Sequence, residues 1–334
     1  MIYNSIYELK TKEDMFMFDF LNKKILISGV LGAGILFSAG VSKINANPDV
    51  IYGTWLLKND TYKCVVNAIK SGAKIIDTAR SYHNEEFVGK AIKFCLDKKI
   101  INTRDEIKVI TKILPCDIEK EYLRTVSLDI AVENLFNESF EKLDLGYIDA
   151  VLLHDSYTEG FDISEIWKAL DRLKNRYPDK IRKIGVSNFG IYNLQNLTPA
   201  PEVIQNPVFP GLLSQDGMEL FGLPDKQSYE WARQSEHKKI EYQGYKALGH
   251  GMLKDNEIIN KIAKKYDCSW AEVCLKYALQ RDISPVFSSE NIDHIKNVYE
   301  NISKFELTFE DLDELDSCIE LEQICSILYS GQTN

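Results

Sequence analysis

From about residue 50 the chain alternates short apolar runs with longer segments whose apolar positions recur at helical spacing. The runs read DVIYGTW, AKIIDTA, IKVITKI, DAVLLHD, RKIGVSNF, EVIQNP, IEYQGYKA and SPVFSSE. Each is too short for a helix and ends in polar residues, as a strand buried on both faces does. Between them, DISEIWKALDRLKN places Ile163, Ile166, Trp167, Leu170 and Leu173 on one helical face, and Asp162 with Glu165 resembles a capping box. Val88, Ile92, Cys95 and Leu96 form a second stripe, while NEIINKIAKKY and WAEVCLKYALQ read as two late helices.

Eight apolar strands alternating with helices predict parallel strands covered by helices. Eight is the number that closes a (β/α)8 TIM barrel, whose usual length is about 250 residues. Residues 50 to 305 fit that size, and no Pro/Gly/Ser-rich linker or internal repeat divides them. The expected organisation is one α/β barrel domain over residues 35–320, an N-terminal extension of unknown role over 1–34 and a C-terminal tail over 321–334.

The uncharged stretch ILISGVLGAGILFSAGV, residues 25–41, follows Lys23 and Lys24 and leaves three readings open. A membrane anchor needs about 20 apolar residues, and this run is shorter and holds four glycines. A secretory signal would sit nearer Met1, without an acidic segment ahead of it. A β-hairpin turning at Ala39 and Gly40 accounts best for the loose alternation of ILFSAGVSKIN. The glycines at 29, 32 and 34 give GxxGxG rather than the GxGxxG of a dinucleotide loop, so they are read as a turn.

Net charge is −10 with no Lys/Arg-rich block, which argues against a nucleic-acid partner. Seven cysteines without CxxC spacing argue against a disulfide framework and a zinc site, and point to a reducing, cytoplasmic compartment. The five histidines show no HExxH pair, so no metal is expected.

In a parallel barrel the C-terminal ends of all strands face one mouth, where catalysis is found. Asp77, Lys112, His154, Ser187, Asn188, Gln205 and Tyr245 stand at those ends, with Tyr82 on the loop after the second strand. Taken singly, each is more often a paired loop residue or packing; together they form a chemical set. A tyrosine donates a proton only if its pKa of about 10 is brought toward working pH or its proton is relayed. A lysine ammonium beside it is expected to lower that pKa, with an aspartate holding the lysine in place. A histidine can aim a carbonyl oxygen. No side chain supplies a hydride, so a nicotinamide cofactor is implied.

IIDTARSYHNEEFVGKAI, VITKI, VLLHDS and IGVSNF resemble, in order and spacing, the signature segments of the aldo-keto reductase family over about residues 35 to 315. The resemblance implies a catalytic tetrad of Asp77, Tyr82, Lys112 and His154 with Tyr82 as general acid. It implies that Ser187, Asn188 and Gln205 hold the nicotinamide carboxamide and that Tyr245 stacks on the ring. Gly53 and Thr54 would meet the cofactor, and Trp55 would line the substrate pocket together with His83 and Ser156. Members commonly begin with a hairpin, which favours that reading of the N-terminus.

Three departures stand out. Ser288 and His294, beside Ser289, replace a lysine and an arginine that grip the 2′-phosphate of NADPH in many members, so NADP(H) is expected with weakened discrimination against NAD(H). Lys246 follows Tyr245 where a serine is usual, and is a candidate for the cofactor's pyrophosphate. Asp155 and Ser156 replace the Trp-Pro common after the histidine, which removes an aromatic pocket wall. The expected activity is NAD(P)H-dependent reduction of an aldehyde or ketone by a protein favoured as a monomer. Alternatives are a non-enzymatic, regulatory cofactor-binding subunit on the same barrel, and a reductase anchored to a membrane through residues 25–41.

Overall fold

A computed structural model describes residues 48–57, 60–125, 127–214, 226–237 and 239–329. The expected extension, the hairpin and the apolar stretch 25–41 lie outside the described residues. Among those described, each apolar run forms one strand. In chain order the elements are β1 (Ile51–Gly53), α1 (Thr61–Lys70), β2 (Ile75–Asp77), α2 (Glu85–Asp97), β3 (Lys108–Ile113), α3 (Pro115–Thr125), α4 (Leu128–Leu143), β4 (Ile148–Leu153), α5 (Ile163–Arg176) and β5 (Ile181–Ser187). They continue with α6 (Ile191–Gln195), β6 (Val203–Pro207), α7 (Lys226–Ala232), β7 (Glu241–Tyr245), α8 (Glu257–Lys265), α9 (Trp270–Leu279), β8 (Ser284–Phe287), α10 (Ile292–Asn301), α11 (Phe309–Asp316) and α12 (Leu321–Tyr329).

Every strand pairs in parallel with its sequence neighbour, and β1 pairs with β8 through Ile51 to Val286 and Tyr52 to Phe287, closing the (β/α)8 barrel. Strand side chains alternate between two faces. One set packs outward against the helices, where Ile166, Trp167, Leu170 and Leu173 of α5 are buried as their spacing predicts. The other set fills the lumen with Ile51, Ile75, Ile110, Ala150, Leu152, Val203 and Val286. Two residues further along the same strands, on the same inward face, stand Gly53, Asp77, Lys112, His154, Gln205 and Ser288. The apolar layer therefore forms the floor on which the polar mouth is built.

Two details differ from the sequence reading. Asp162 accepts the Ser164 amide at 2.9 Å, but Glu165 turns to Lys168 at 2.7 Å, so the capping box is not reciprocal. The segment set apart as a tail contains α12, whose Ile324, Ile327 and Leu328 are buried in a second core with residues of α8, α9 and α11. Their spacing of three and then one is a single helical face, which needs a partner surface. No helix among the described residues is long and apolar enough to cross a membrane.

Candidate active site

The buried centre of the mouth is an ion pair. Lys112 Nζ donates to Asp77 Oδ1 at 2.7 Å and Oδ2 at 2.6 Å, and to the Thr78 carbonyl at 3.0 Å. An ammonium has three donors, so all are engaged. Gln205 Nε2 adds a bond to Asp77 Oδ2 at 2.8 Å and one to Gln243 Oε1 at 2.9 Å. Burial lowers the Lys112 pKa, opposed by the Asp77 charge and hydrogen bond.

Tyr82 lies against this pair, its ring centroid 5.2 Å from Lys112 Nζ. Burial, then the Asp77 charge and Tyr245, raise the phenol's pKa well above its ordinary value. This corrects the expectation of a lowered pKa. The ammonium spends its charge on Asp77, while the low-dielectric surroundings penalise a phenolate. Tyr82 is accordingly a neutral phenol across the working range, the form a proton donor must have.

His154 stacks edge-on to Tyr82, with ring centroids 5.6 Å apart at 73°. Its Nδ1 is 3.3 Å from Ser81 Oγ. Burial, helped by the Lys112 charge, holds the imidazole down to about 3, so the ring is neutral near pH 7. In the tautomer whose Nδ1 accepts from the Ser81 hydroxyl, the ring proton sits on Nε2, where it can serve a carbonyl oxygen.

The mouth opens into a cavity of ≈ 640 Å³ lined by Asp77, Tyr82 and His154 together with Ser187, Asn188, Tyr245 and Lys246. Asn188 donates to the His154 carbonyl at 2.8 Å and accepts from the Tyr245 hydroxyl. Leu56, Asn188, Lys246 and His250, all lining the cavity, have left-handed backbones with φ of 66°, 62°, 57° and 51°. Non-glycine residues rarely adopt that conformation, and it concentrates at functional sites. The polar side chains of Asn188, Gln205 and Ser187 and the flat ring of Tyr245 make a set that fits a planar ring bearing a carboxamide.

A family model described as the aldo/keto reductase family matches residues 49–320. The chain belongs to this family. As an aldo/keto reductase it is an NAD(P)H-dependent oxidoreductase acting on carbonyl groups. A glyoxal reductase of Bacillus subtilis is 31% identical over 272 residues, covering 80% of this chain and 86% of the relative. An NAD(P)H-dependent D-xylose reductase of Candida tropicalis is 28% identical, covering 80% and 88%. Among solved structures, an aldo/keto reductase from Brucella melitensis superposes with a TM-score of 0.66 at 26% identity, covering 81% of this chain and 94% of that one. A Bombyx mori aldo-keto reductase in complex with NADP has a similar fold, with a TM-score of 0.68 at 23% identity, covering 82% and 91%.

Within this aldo/keto reductase the sequence-derived residues separate into two groups. Asp77, Tyr82, Lys112 and His154 converge, and Gly53, Trp55, Ser187, Asn188, Gln205, Tyr245, Lys246 and Ser288 share the cavity lining with them, save the buried Lys112. Thr54 is fully buried, its hydroxyl 3.4 Å from Asn84 Oδ1 and its carbonyl bonded to Asn84 Nδ2 at 2.8 Å, so it braces the first loop. His83, Ser156, Ser289 and His294 stand outside the cavity lining. The Lys246 amine is directed at the carbonyls of Ile327, at 3.2 Å, and Leu328, at the end of α12. Ser81, Asp155, His250 and Trp270 line the cavity without having been singled out as site residues. Ser81 was visible in the sequence as the neighbour of Tyr82, and Asp155 as the neighbour of His154. Trp270 carried no signal.

Proposed function

We propose that the chain reduces small aldehydes or ketones with Asp77, Tyr82, Lys112 and His154 as its catalytic set and Tyr82 as general acid. The observation that carries this reading is the buried Lys112–Asp77 pair packed against the Tyr82 ring, with a neutral His154 edge-on to the same ring. His154 Nε2–H binds the carbonyl oxygen and turns it toward the Tyr82 hydroxyl. Ser187, Asn188, Gln205 and Tyr245 would hold NAD(P)H, which would supply the hydride that the carbonyl carbon needs. As negative charge gathers on the oxygen, Tyr82 donates its proton, and the phenolate left behind faces the Lys112 ammonium. Asp77 and Gln205 keep that ammonium charged and in place, a preorganised field of the kind that lowers barriers.

For the cofactor we propose weak discrimination between NADP(H) and NAD(H). Glu290 and Asp293 flank Ser289 and His294, so this edge is acidic. The Asp293 and His294 amides at the start of α10 are both taken by Asn291 Oδ1, at 2.8 and 3.4 Å. A 2′-phosphate dianion thus meets no arginine or lysine among these residues. The names of the glyoxal and xylose reductase relatives support a short, polar carbonyl substrate. The test is oxidation of each cofactor with a panel of short aldehydes. Turnover lost in Tyr82→Phe supports the reading; cofactor binding without turnover of any carbonyl would point to a regulatory subunit instead.

A further inference from the structure

Asp155 follows His154 directly and lines the same cavity. Its Oδ1 accepts the Tyr157 amide at 2.9 Å, and no lysine, arginine or histidine among the described residues forms an ion pair with it. The loop that carries it is anchored a few residues further on. Glu119, buried beneath, accepts the amides of Glu159, Gly160 and Phe161 at 2.8 to 3.1 Å. Burial raises the Asp155 carboxyl, opposed by backbone bonds from Tyr157 and Ser156; burial and then the Asp155 charge raise the Tyr245 phenol.

An unpaired carboxylate in a half-buried site has unmet acceptor capacity and a strong bias in charge. The local alternative is a turn former, since an aspartate bonding the amide two residues on is a common loop device. That role explains one oxygen. It does not explain a carboxylate, where asparagine would serve, beside the group that aims the carbonyl.

We propose that Asp155 sets substrate specificity. It selects carbonyl compounds whose far end carries a hydrogen-bond donor or a positive charge, and it excludes those ending in a carboxylate. The inference rests on the carbonyl-reductase reading and extends it to a substrate class. An ammonium or hydroxyl a few ångströms from the reacting carbon supplies the donor the carboxylate lacks. A second carboxylate there is repelled in surroundings that screen poorly.

The experiment compares kcat/KM for 3-aminopropanal, butanal and 4-oxobutanoate in the full chain, with the better of the two cofactors. The expected order is aminopropanal, then butanal, then oxobutanoate, with at least a tenfold spread between the ends. In Asp155→Asn, which keeps an oxygen for the Tyr157 amide, the spread shrinks to within about threefold, as removal of a charge term requires. Equal rates on all three in the wild type, or an unchanged order and spread in Asp155→Asn, overturn the proposal while leaving the reductase reading intact. The wild-type order is informative even if the variant folds poorly. Failure to reduce any of the three, or any other aldehyde, overturns both.

Discussion

The Lys112 ammonium sits on both oxygens of the Asp77 carboxylate, at 2.7 and 2.6 Å, with both side chains almost wholly removed from solvent. Such a pair is weak evidence for stability in itself, yet removing one member strands a buried charge, at about 3–5 kcal/mol. Asp77→Asn is expected to lose stability on that scale in urea unfolding. The double variant Asp77→Asn/Lys112→Met should recover at least half of the loss, because no charge is then left behind. A double variant as unstable as the single one would mean that packing, not charge, is what the pair supplies.

Tyr82→Phe separates chemistry from folding. No hydrogen bond is made by the Tyr82 hydroxyl among the described residues, so its removal should leave the unfolding midpoint unchanged or slightly raised. The turnover number should fall by about 10²–10⁴-fold, the usual contribution of a positioned acid. Steady-state kinetics beside thermal unfolding reads both. A small loss of turnover would move the proton donor elsewhere.

His154 makes stability sensitive to acid. Its pKa is about 3 when folded and 6.5 when unfolded. Between those values the unfolded chain binds a proton that the folded one refuses. Its contribution is therefore complete above pH 6.5 and declines as pH falls, by about 1.4 kcal/mol per unit until about pH 3. From pH 6.5 to 4.5 the wild type should lose about 2.3 kcal/mol more than His154→Gln. Parallel unfolding curves for the two proteins across that window would show the imidazole to be titrating normally.

The β8 edge is where we propose that cofactor choice is made. Separate titrations with NADPH and NADH should differ in Kd by less than about a hundredfold, or ~2.7 kcal/mol. Ser288→Lys/His294→Arg should tighten NADPH by at least about tenfold and barely alter NADH, since a fixed cation discriminates only through the extra phosphate. Equal tightening of both would place the new charges near the shared pyrophosphate.

Much of this was legible in the chain because a barrel strand leaves a simple trace. Ile75 and Asp77, Ile110 and Lys112, and Val203 and Gln205 each repeat the step from apolar floor to polar mouth two residues later. What the pattern could not carry were contacts set by distant partners. Gln243 meets Gln205 only across neighbouring strands, and the direction of Lys246 depends on carbonyls 81 and 82 residues away. The Tyr82 pKa went the other way because residue types announce charges but not their burial.

That reach of Lys246 ties the far end of the fold to its working surface. Burial brings its pKa down to about 8, and its backbone neighbour is Tyr245, the proposed face for the nicotinamide. A fusion placed behind α12, or a truncation that removes it, alters the carbonyls that Lys246 meets, and is expected to register in an assay meant to report chemistry at the neighbouring ring.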